Sequence, residues 1–316
     1  MTAYDSDVIL VTGGCGFIGG HVVRAAIGRG LRVVNVDKLT YAASPEALAD
    51  LGPDDGYCHI VADICDAAAM RATFAKHRPA AVLHLAAESH VDRSIDEPAA
   101  FLRTNVVGTY TLLEAAEEYC RDLAQTARET FRFVHVSTDE VFGSLGETGV
   151  ADETVPYAPN SPYAASKASA DHFARAWGRT YGLPVIVTNA SNNFGPYQFP
   201  EKLIPLAIVR ALGGKKIGIY GDGLQVRDWL YVEDHAEGLV EVLERAIPGE
   251  SYNLGGSAER TNIDLVRALC ALLDRLRPDS PHVPHADLIA FVDDRPGHDQ
   301  RYAIDPTKIT GSLGWR

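Results

Sequence analysis

One stretch near the N-terminus limits the possible folds more than any other. A short apolar run, Val8-Ile-Leu-Val-Thr12, leads at once into Gly13-Gly14-Cys15-Gly16-Phe17-Ile18-Gly19, and helical spacing follows to about Arg29. An apolar run this short, without alternation, reads as a parallel strand buried on both faces. The stretch contains G-x-G-x-x-G at Gly14, Gly16 and Gly19, and the looser G-x-x-G-x-x-G at Gly13, Gly16 and Gly19. Glycines so placed permit a tight turn, close approach of backbone to a pyrophosphate, and close packing of the helix, whose N-terminus faces the phosphates. A second run, Leu31-Arg-Val-Val-Asn-Val36, ends at Asp37. An acid there suits a ribose 2′-hydroxyl and repels a 2′-phosphate, which favours NAD over NADP. A glycine pattern alone is weak; in strand–turn–helix–strand–acid order it is strong.

The same rhythm continues. Ala62-Asp63-Ile64 closes a further strand and is expected to flank adenine. Ala81-Val-Leu-His-Leu85 is a fourth strand running into Ala86-Ala87, small residues that let backbone approach a nicotinamide. Residues 98–118 have helical spacing, with Leu102, Val106, Tyr110, Leu113 and Ala116 as the expected buried stripe. Strands are predicted at 131–136 and 184–188, with a helix over 161–181 between them. This alternation predicts an α/β fold, a doubly wound parallel (Rossmann-like) sheet with ligands at the carboxyl ends of its strands. Beyond about residue 190 the chain is richer in loops, with helices near 233–246 and 262–276. Residues 1–190 are read as an NAD-binding domain, and 191–316 as a smaller substrate-binding region, discontinuous and interleaved with the first.

The strand at 131–136 runs out into Ser137-Thr138-Asp139-Glu140, and the 161–181 helix begins with Tyr163-Ala-Ala-Ser-Lys167. Tyrosine and lysine four apart share a helix face. The ammonium of Lys167 is expected to lower the pKa of the Tyr163 phenol, which then takes a proton from an alcohol as hydride leaves carbon. An Asp-Glu pair is ordinarily a solvated surface feature. Here it follows a strand whose carboxyl end faces the cofactor, with Thr138 ahead of it, which marks it as functional.

With Tyr163-x-x-x-Lys167 and the glycine turn, the chain resembles the extended short-chain dehydrogenases/reductases. More narrowly it is similar to the dTDP-glucose 4,6-dehydratase family. That likeness rests on Ala87-Glu-Ser-His-Val-Asp-Arg-Ser94, Ser137-Thr-Asp-Glu-Val141, Ser191-Asn-Asn193, Pro200-Glu-Lys-Leu-Ile-Pro205, Arg227-Asp-Trp229 and Asp294-Arg-Pro-Gly-His-Asp299. It runs through almost the whole chain, and the acid pair separates this group from related epimerases and decarboxylases.

The resemblance implies conversion of dTDP-glucose to dTDP-4-keto-6-deoxyglucose and water, by C4 oxidation, C5–C6 elimination and hydride return to C6. It implies Tyr163 as base at the 4-hydroxyl, Lys167 beside it, and Thr138 on the 4-oxygen. Glu140 is then the base at C5 and Asp139 the acid at the 6-hydroxyl; the residues alone leave open which acid holds the proton. The implied NAD contacts are Gly13, Gly16, Phe17, Ile18, Gly19, Asp37, Lys38, Leu39, Thr40, Asp63, Ile64, Leu85, Ala86, Ala87, Ser89, Thr104 and Asn193, with Tyr163 and Lys167. The implied substrate contacts are Ser89, Thr138, Asn192, Lys202, Leu203, Tyr220, Arg227, Asn262, Arg295 and His298. Among these, the guanidinium forks of Arg227 and Arg295 suit a pyrophosphate. The family also implies a homodimer made by pairing helices 98–118 and 161–181 into a four-helix bundle. Two departures are Phe142 and Phe194, where relatives commonly have tyrosine; relatives also continue past the point where this chain stops, at Leu313-Gly-Trp-Arg316. A nucleotide-sugar epimerase or decarboxylase, a UDP-glucose 4,6-dehydratase and a non-catalytic NAD-binding protein are the competing readings. Thymine over uracil rests on loop resemblance alone.

A net charge of −13 argues against a nucleic-acid binder, so local cations in loops become informative. Five scattered cysteines without C-x-x-C, no basic-then-apolar leader and no long apolar run lead to the expectation of a cytoplasmic protein without a membrane segment. His282-x-x-His285 lacks the further ligands of a metal site, so no metal is expected. Cys15 is expected to be a small packing residue and His235 to be structural.

Overall fold

A computed structural model describes residues 7–316. The chain opens with β1 (Val8–Thr12), α1 (Phe17–Gly28), β2 (Arg32–Asp37), β3 (Tyr57–Val61), α2 (Ala67–His77) and β4 (Ala81–His84). Short helices α3 (Val91–Asp96) and α4 (Pro98–Phe101) lead through a π-helical stretch, Leu102–Gly108, into α5 (Thr109–Arg121) and α6 (Gln125–Thr130). Then come β5 (Arg132–Thr138), α7 (Pro162–Tyr181) and β6 (Val185–Ala190). Next, β7 (Asn192–Phe194), α8 (Leu203–Leu212), β8 (Ile217–Tyr220) and β9 (Val226–Tyr231) lie outside the main sheet. After α9 (Val232–Arg245) the chain returns to it as β10 (Ser251–Leu254), then leaves through β11 (Glu259–Thr261), α10 (Asn262–Leu276), β12 (Ile289–Val292) and α11 (Thr307–Leu313).

Among the described residues the main sheet has seven strands in the order β10-β6-β5-β4-β1-β2-β3, all parallel. Ile9, Leu10 and Val11 are wholly buried, because helices cover both faces of β1. One face carries α1, α9 and α11, through Val22, Val23, Leu239, Leu243 and Ile309. The other carries α2, α5 and α7, through Met70, Phe74, Leu112, Leu113 and Ala174. Each of the larger aliphatic and Phe side chains among these contributes about 1.5–3 kcal/mol by leaving water, so the two layers hold the sheet on both sides. The fold is therefore a doubly wound Rossmann-like α/β fold. A three-stranded sheet β11-β9-β7, a pair β12-β8 and a small core around Ala211, Ile217 and Val266 form the remainder.

The strand order reverses between β1 and β4, and ligands in such sheets bind in the crevice beyond that point. Gly13 turns the chain there with φ +75°, and a Cβ on Gly19 would lie 2.0 Å from the Gly13 carbonyl oxygen. No side chain larger than hydrogen fits where α1 crosses the turn. The start of α7 is equally well specified: the Ser161 hydroxyl accepts from Ala164 N at 3.0 Å, Pro162 is the first helical residue, and Gly182 ends the helix at φ +72°.

Two expectations need correction. The strand read as closing at 62–64 ends at Val61, with Asp63 and Ile64 just beyond it. The stripe over 98–118 breaks: Leu113 and Ala116 are buried, but Leu102 and Tyr110 are 59% and 42% exposed. The π-helical turn inserts an extra residue into the period, so positions before and after it no longer share one face.

Candidate functional site

The carboxyl ends of β1, β4, β5 and β6 surround a cavity of about 300 Å³. One wall is the glycine turn, with Gly13, Gly16, Phe17, Ile18 and Gly19, backed by Asp37, Lys38 and Thr40 at the end of β2. Opposite lie Ile64, Leu85, Ala86, Ala87, Ser89 and Thr104. The floor carries Thr138, Asp139, Glu140, Tyr163 and Lys167, and Asn192, Asn193 and Lys202 close the far side. The two distant motifs, Ser137–Glu140 and Tyr163–Lys167, thus meet in one place.

Other expected contacts lie outside this lining. Leu39 is exposed, its amide donating to Asp37 Oδ1 at 2.8 Å. Asp63 accepts from Cys65 N and stands 3.7 Å from Lys38 Nζ. Leu203 opens α8 beside Lys202, and Asn262 opens α10 with its amide on the Gln225 carbonyl. Tyr220, Arg295 and His298 gather in a neighbouring cluster. There Asp92 accepts from Tyr220 OH at 2.9 Å and from Arg295 Nη1 at 3.0 Å, while His298 stacks edge-on against Tyr220 and bonds Asp294 at 2.6 Å. Arg227 is buried over the Tyr302 ring and donates to the Asp299 carbonyl at 2.9 Å.

The two acids differ in their surroundings. Burial raises the Asp139 carboxyl well above its ordinary range, and the neighbouring Glu140 charge raises it further. Burial raises Glu140 too, but Arg295, Arg227 and Lys202 all pull it back. Both carboxyls are raised, and the difference in their neighbours makes Asp139 the more disposed of the two to hold a proton and Glu140 the more readily ionised. Among the described residues, Asp139 Oδ2, Glu140 Oε2 and Asn192 Oδ1 are buried without a hydrogen-bond partner. Such orphaned atoms are costly in a core and normal in a site that a ligand completes.

One electrostatic expectation is reversed. The Tyr163 phenol is raised, not lowered: burial dominates, the Glu140 charge adds to it, and only the hydrogen-bonded Thr138 hydroxyl pulls it down. Lys167 does not offset this, because its ammonium donates to the Val136 carbonyl at 2.7 Å and is itself lowered by burial to about 8.

Several contributors carried no sequence motif. Asn105 reaches Ser166 Oγ at 2.8 Å and exchanges bonds with the Glu88 backbone, tying the π-helical stretch to α7 and to the loop after β4. Asp171 is wholly buried against β5. Gln198, Phe199 and Glu201 line the cavity from the loop before α8. His235, wholly buried on α9, bonds Asn193 Oδ1 at 2.9 Å and holds that side chain at the rim. Cys15 packs beneath the turn, where the Asn35 amide donates to its sulfur. His285 is held by Asp274 at 2.5 Å.

The donor set fits a dinucleotide. α1 begins without a side-chain cap, leaving its first-turn amides to an anion, and Asp37 lines the same cavity at the end of β2. A family model described as GDP-mannose 4,6 dehydratase matches residues 10–316. A dTDP-glucose 4,6-dehydratase from Xanthomonas campestris pv. campestris (strain B100) is 58% identical over 306 residues, covering 97% of this chain and 87% of that protein. The crystal structure of DesIV, a dTDP-glucose 4,6-dehydratase from Streptomyces venezuelae with NAD and TYD bound, superposes with a TM-score of 0.87 at 43% identity, over 98% of this chain and 91% of that one. A UDP-glucose 4-epimerase from Thermus thermophilus in complex with NAD reaches a TM-score of 0.84 at 30% identity, over 98% and 93% of the two chains. The fold is thus shared across different reactions, and the residues of the site must decide between them.

Proposed function

The chain belongs to the GDP-mannose 4,6-dehydratase family, and from that premise we propose that it converts dTDP-glucose to dTDP-4-keto-6-deoxyglucose and water. It is an NAD-dependent hydro-lyase. The observation that carries this reading is the meeting of Asp139 and Glu140 with Tyr163 in one cavity, each acid with a buried oxygen lacking a partner among the described residues.

Each residue has a separable duty. Tyr163, beside the Thr138 hydroxyl, accepts the proton of the sugar 4-hydroxyl. When bound, NAD would supply the acceptor for hydride from C4 and its donor to C6, and the positive charge of its ring would favour the phenolate that burial alone opposes. Once C4 is a ketone the C5 proton is acidic, and Glu140 removes it. Asp139, kept protonated by burial and by Glu140, hands its proton to the departing 6-hydroxyl. Gly13, Gly16 and Gly19 with the first turn of α1 would hold the cofactor pyrophosphate, Asp37 a ribose, and Ala86, Ala87, Ser89 and Asn193 the nicotinamide half.

Arg227, Arg295 and Lys202 are assigned to the substrate diphosphate, and Asn192, Leu203, Tyr220, Asn262 and His298 to the rest of the nucleotide. For function the chain divides into 1–190, which holds the cofactor and Tyr163–Lys167, and 191–316, which holds the nucleotide and interleaves with the first. Two copies pair through the π-helical stretch, α5 and α7 into a four-helix bundle. Supporting this, Leu102, Val107, Tyr110, Phe173 and Tyr181 are exposed there around Trp177, with Tyr110 and Trp177 rings 5.7 Å apart. The enzyme is assigned to the cytoplasm, where its five free cysteines would stay reduced. Among the described residues no helix is long and apolar enough to cross a membrane.

Turnover compared across dTDP-, UDP-, CDP- and GDP-glucose, with products identified by NMR, tests the reading. The 4-keto-6-deoxy sugar is expected, fastest from dTDP-glucose. Recovery of dTDP-galactose, or release of carbon dioxide from a uronic acid substrate, would overturn it.

A further inference from the structure

We propose that Asp171 is a positioning residue whose buried carboxylate locks the Tyr163–Lys167 helix onto the strand carrying Thr138, Asp139 and Glu140, and serves as the counter-charge of Lys167. The inference rests on the dehydratase reading above.

Asp171 lies one helical turn beyond Lys167 on α7 and is 0% exposed. Its Oδ1 accepts from His135 Nε2 at 2.9 Å, and its Oδ2 from Ser137 Oγ at 2.8 Å and Tyr157 OH at 2.9 Å. Between His135 and Ser137, the Val136 carbonyl accepts from Lys167 Nζ at 2.7 Å. Residues 135 and 137 of a strand face the same side. Two residues of α7 therefore grip three consecutive residues of β5, and the next residue of that strand is Thr138. A slip of α7 along β5 would break all of these bonds together, so the phenol and the acid pair are held in one register.

The same geometry brings the two charges together: Lys167 and Asp171, one turn apart on α7, bond neighbouring residues of β5. A buried ion is tolerated when it is both hydrogen-bonded and opposed. Lys167 is 5% exposed. Burial lowers its ammonium to about 8, and Asp171 is the charge that keeps it from falling further. Burial acts to raise the Asp171 carboxyl, but His135, Lys167 and Ser137 hold it below its ordinary value. The other titratable groups around this carboxylate are Tyr157, which receives a bond from Arg175 at 2.7 Å, and His135, kept neutral by burial with the His84 ring 5.3 Å away. Tyr163 faces the same region, its phenol raised slightly by the Asp171 charge.

Asp171→Asn keeps the shape and removes the charge. The alkaline limb of kcat/KM should move to lower pH by about one to three units, the usual effect of losing an opposite charge. kcat should fall, KM for dTDP-glucose should change little, and Asp171→Glu should restore part of the limb. Tyr157→Phe removes one donor from the carboxylate and leaves its charge, so the limb should shift slightly the opposite way. An Asp171→Asn enzyme whose melting temperature drops while its limb stays in place would overturn the inference, because the residue would then be structural only. Should that variant not fold, Tyr157→Phe decides: a shift to higher pH supports the proposal, and no shift or a downward one overturns it. The wild type is assayed alongside. A wild type yielding no 4-keto-6-deoxy product would sink the dehydratase reading and the inference with it, whereas unmoved limbs in a productive enzyme sink the inference alone.

Discussion

Asp139 and Glu140 are consecutive in the chain and burial raises both carboxyls, yet their charged neighbours differ. Three cations, Arg295, Arg227 and Lys202, draw on Glu140 against Asp299, while Asp139, 2% exposed, has Arg227 drawing on it and both Glu140 and Asp228 against it. Substitution should separate them. Glu140→Gln should leave C4 oxidation possible and block C5 deprotonation, so reduced cofactor builds up and is read as near-ultraviolet absorbance. Asp139→Asn should slow loss of the 6-hydroxyl by about 10²–10⁴-fold, the usual worth of a general acid. Equal and complete turnover by both variants would contradict the two assignments.

Tyr163→Phe removes the group that accepts the 4-hydroxyl proton but keeps the ring, which packs edge-on against Phe101 at 6.3 Å. Turnover should fall by about 10²–10⁴-fold while NAD and dTDP-glucose still bind, as read by calorimetry.

The pH dependence has a definite sign on each side. Glu140 must be ionised and its carboxyl is raised, so kcat/KM should fall with acid above the ordinary carboxylate range. Lys167 must be charged, so activity should also fall as pH rises through about 8. Asp139, raised well above its usual range, is expected to hold its proton to higher pH than an ordinary carboxyl. A profile flat from acid to well above neutrality would contradict these protonation states.

Gly19→Ala would set a methyl carbon 2.0 Å from the Gly13 carbonyl oxygen, where backbone cannot give way cheaply. A loss of about 1–3 kcal/mol in stability is expected, with weaker NAD binding. Gly28→Ala is the control, since nothing lies within 4 Å of its added carbon. Chemical denaturation with and without NAD measures both.

Phe173→Lys places a charge on the exposed aromatic face of α7, where the ring lies 5.9 Å from Trp177. If two copies pair there, light scattering should show a dimer for the wild type and a monomer for the variant. A monomeric wild type would contradict the four-helix bundle.

What could be read in the chain alone was local. The glycine turn, the short apolar runs and the Tyr163–Lys167 spacing act within a few residues of themselves, so their pattern carries their meaning. Ser251-Tyr-Asn-Leu254 does not announce itself: four residues after a long excursion become the edge strand beside β6 only through tertiary pairing. The stripe through Leu102 and Tyr110 misled because a π-helical turn changes the period without a proline or glycine to mark its start. Asp171 and Asn105 were invisible for a related reason, since their partners lie in other elements. The pKa of Tyr163 could not be judged from spacing, because burial outweighs the neighbour that spacing supplies.

The most direct test follows the hydrogen. dTDP-glucose carrying deuterium at C4 is turned over by the NAD-bound enzyme in ordinary water, and the product is examined by NMR. Deuterium at C6 of the 4-keto-6-deoxy sugar, retained within the same molecule, is the result expected of the site assembled around Tyr163, Asp139 and Glu140. Label left at C4, or product with only solvent hydrogen at C6, would contradict it.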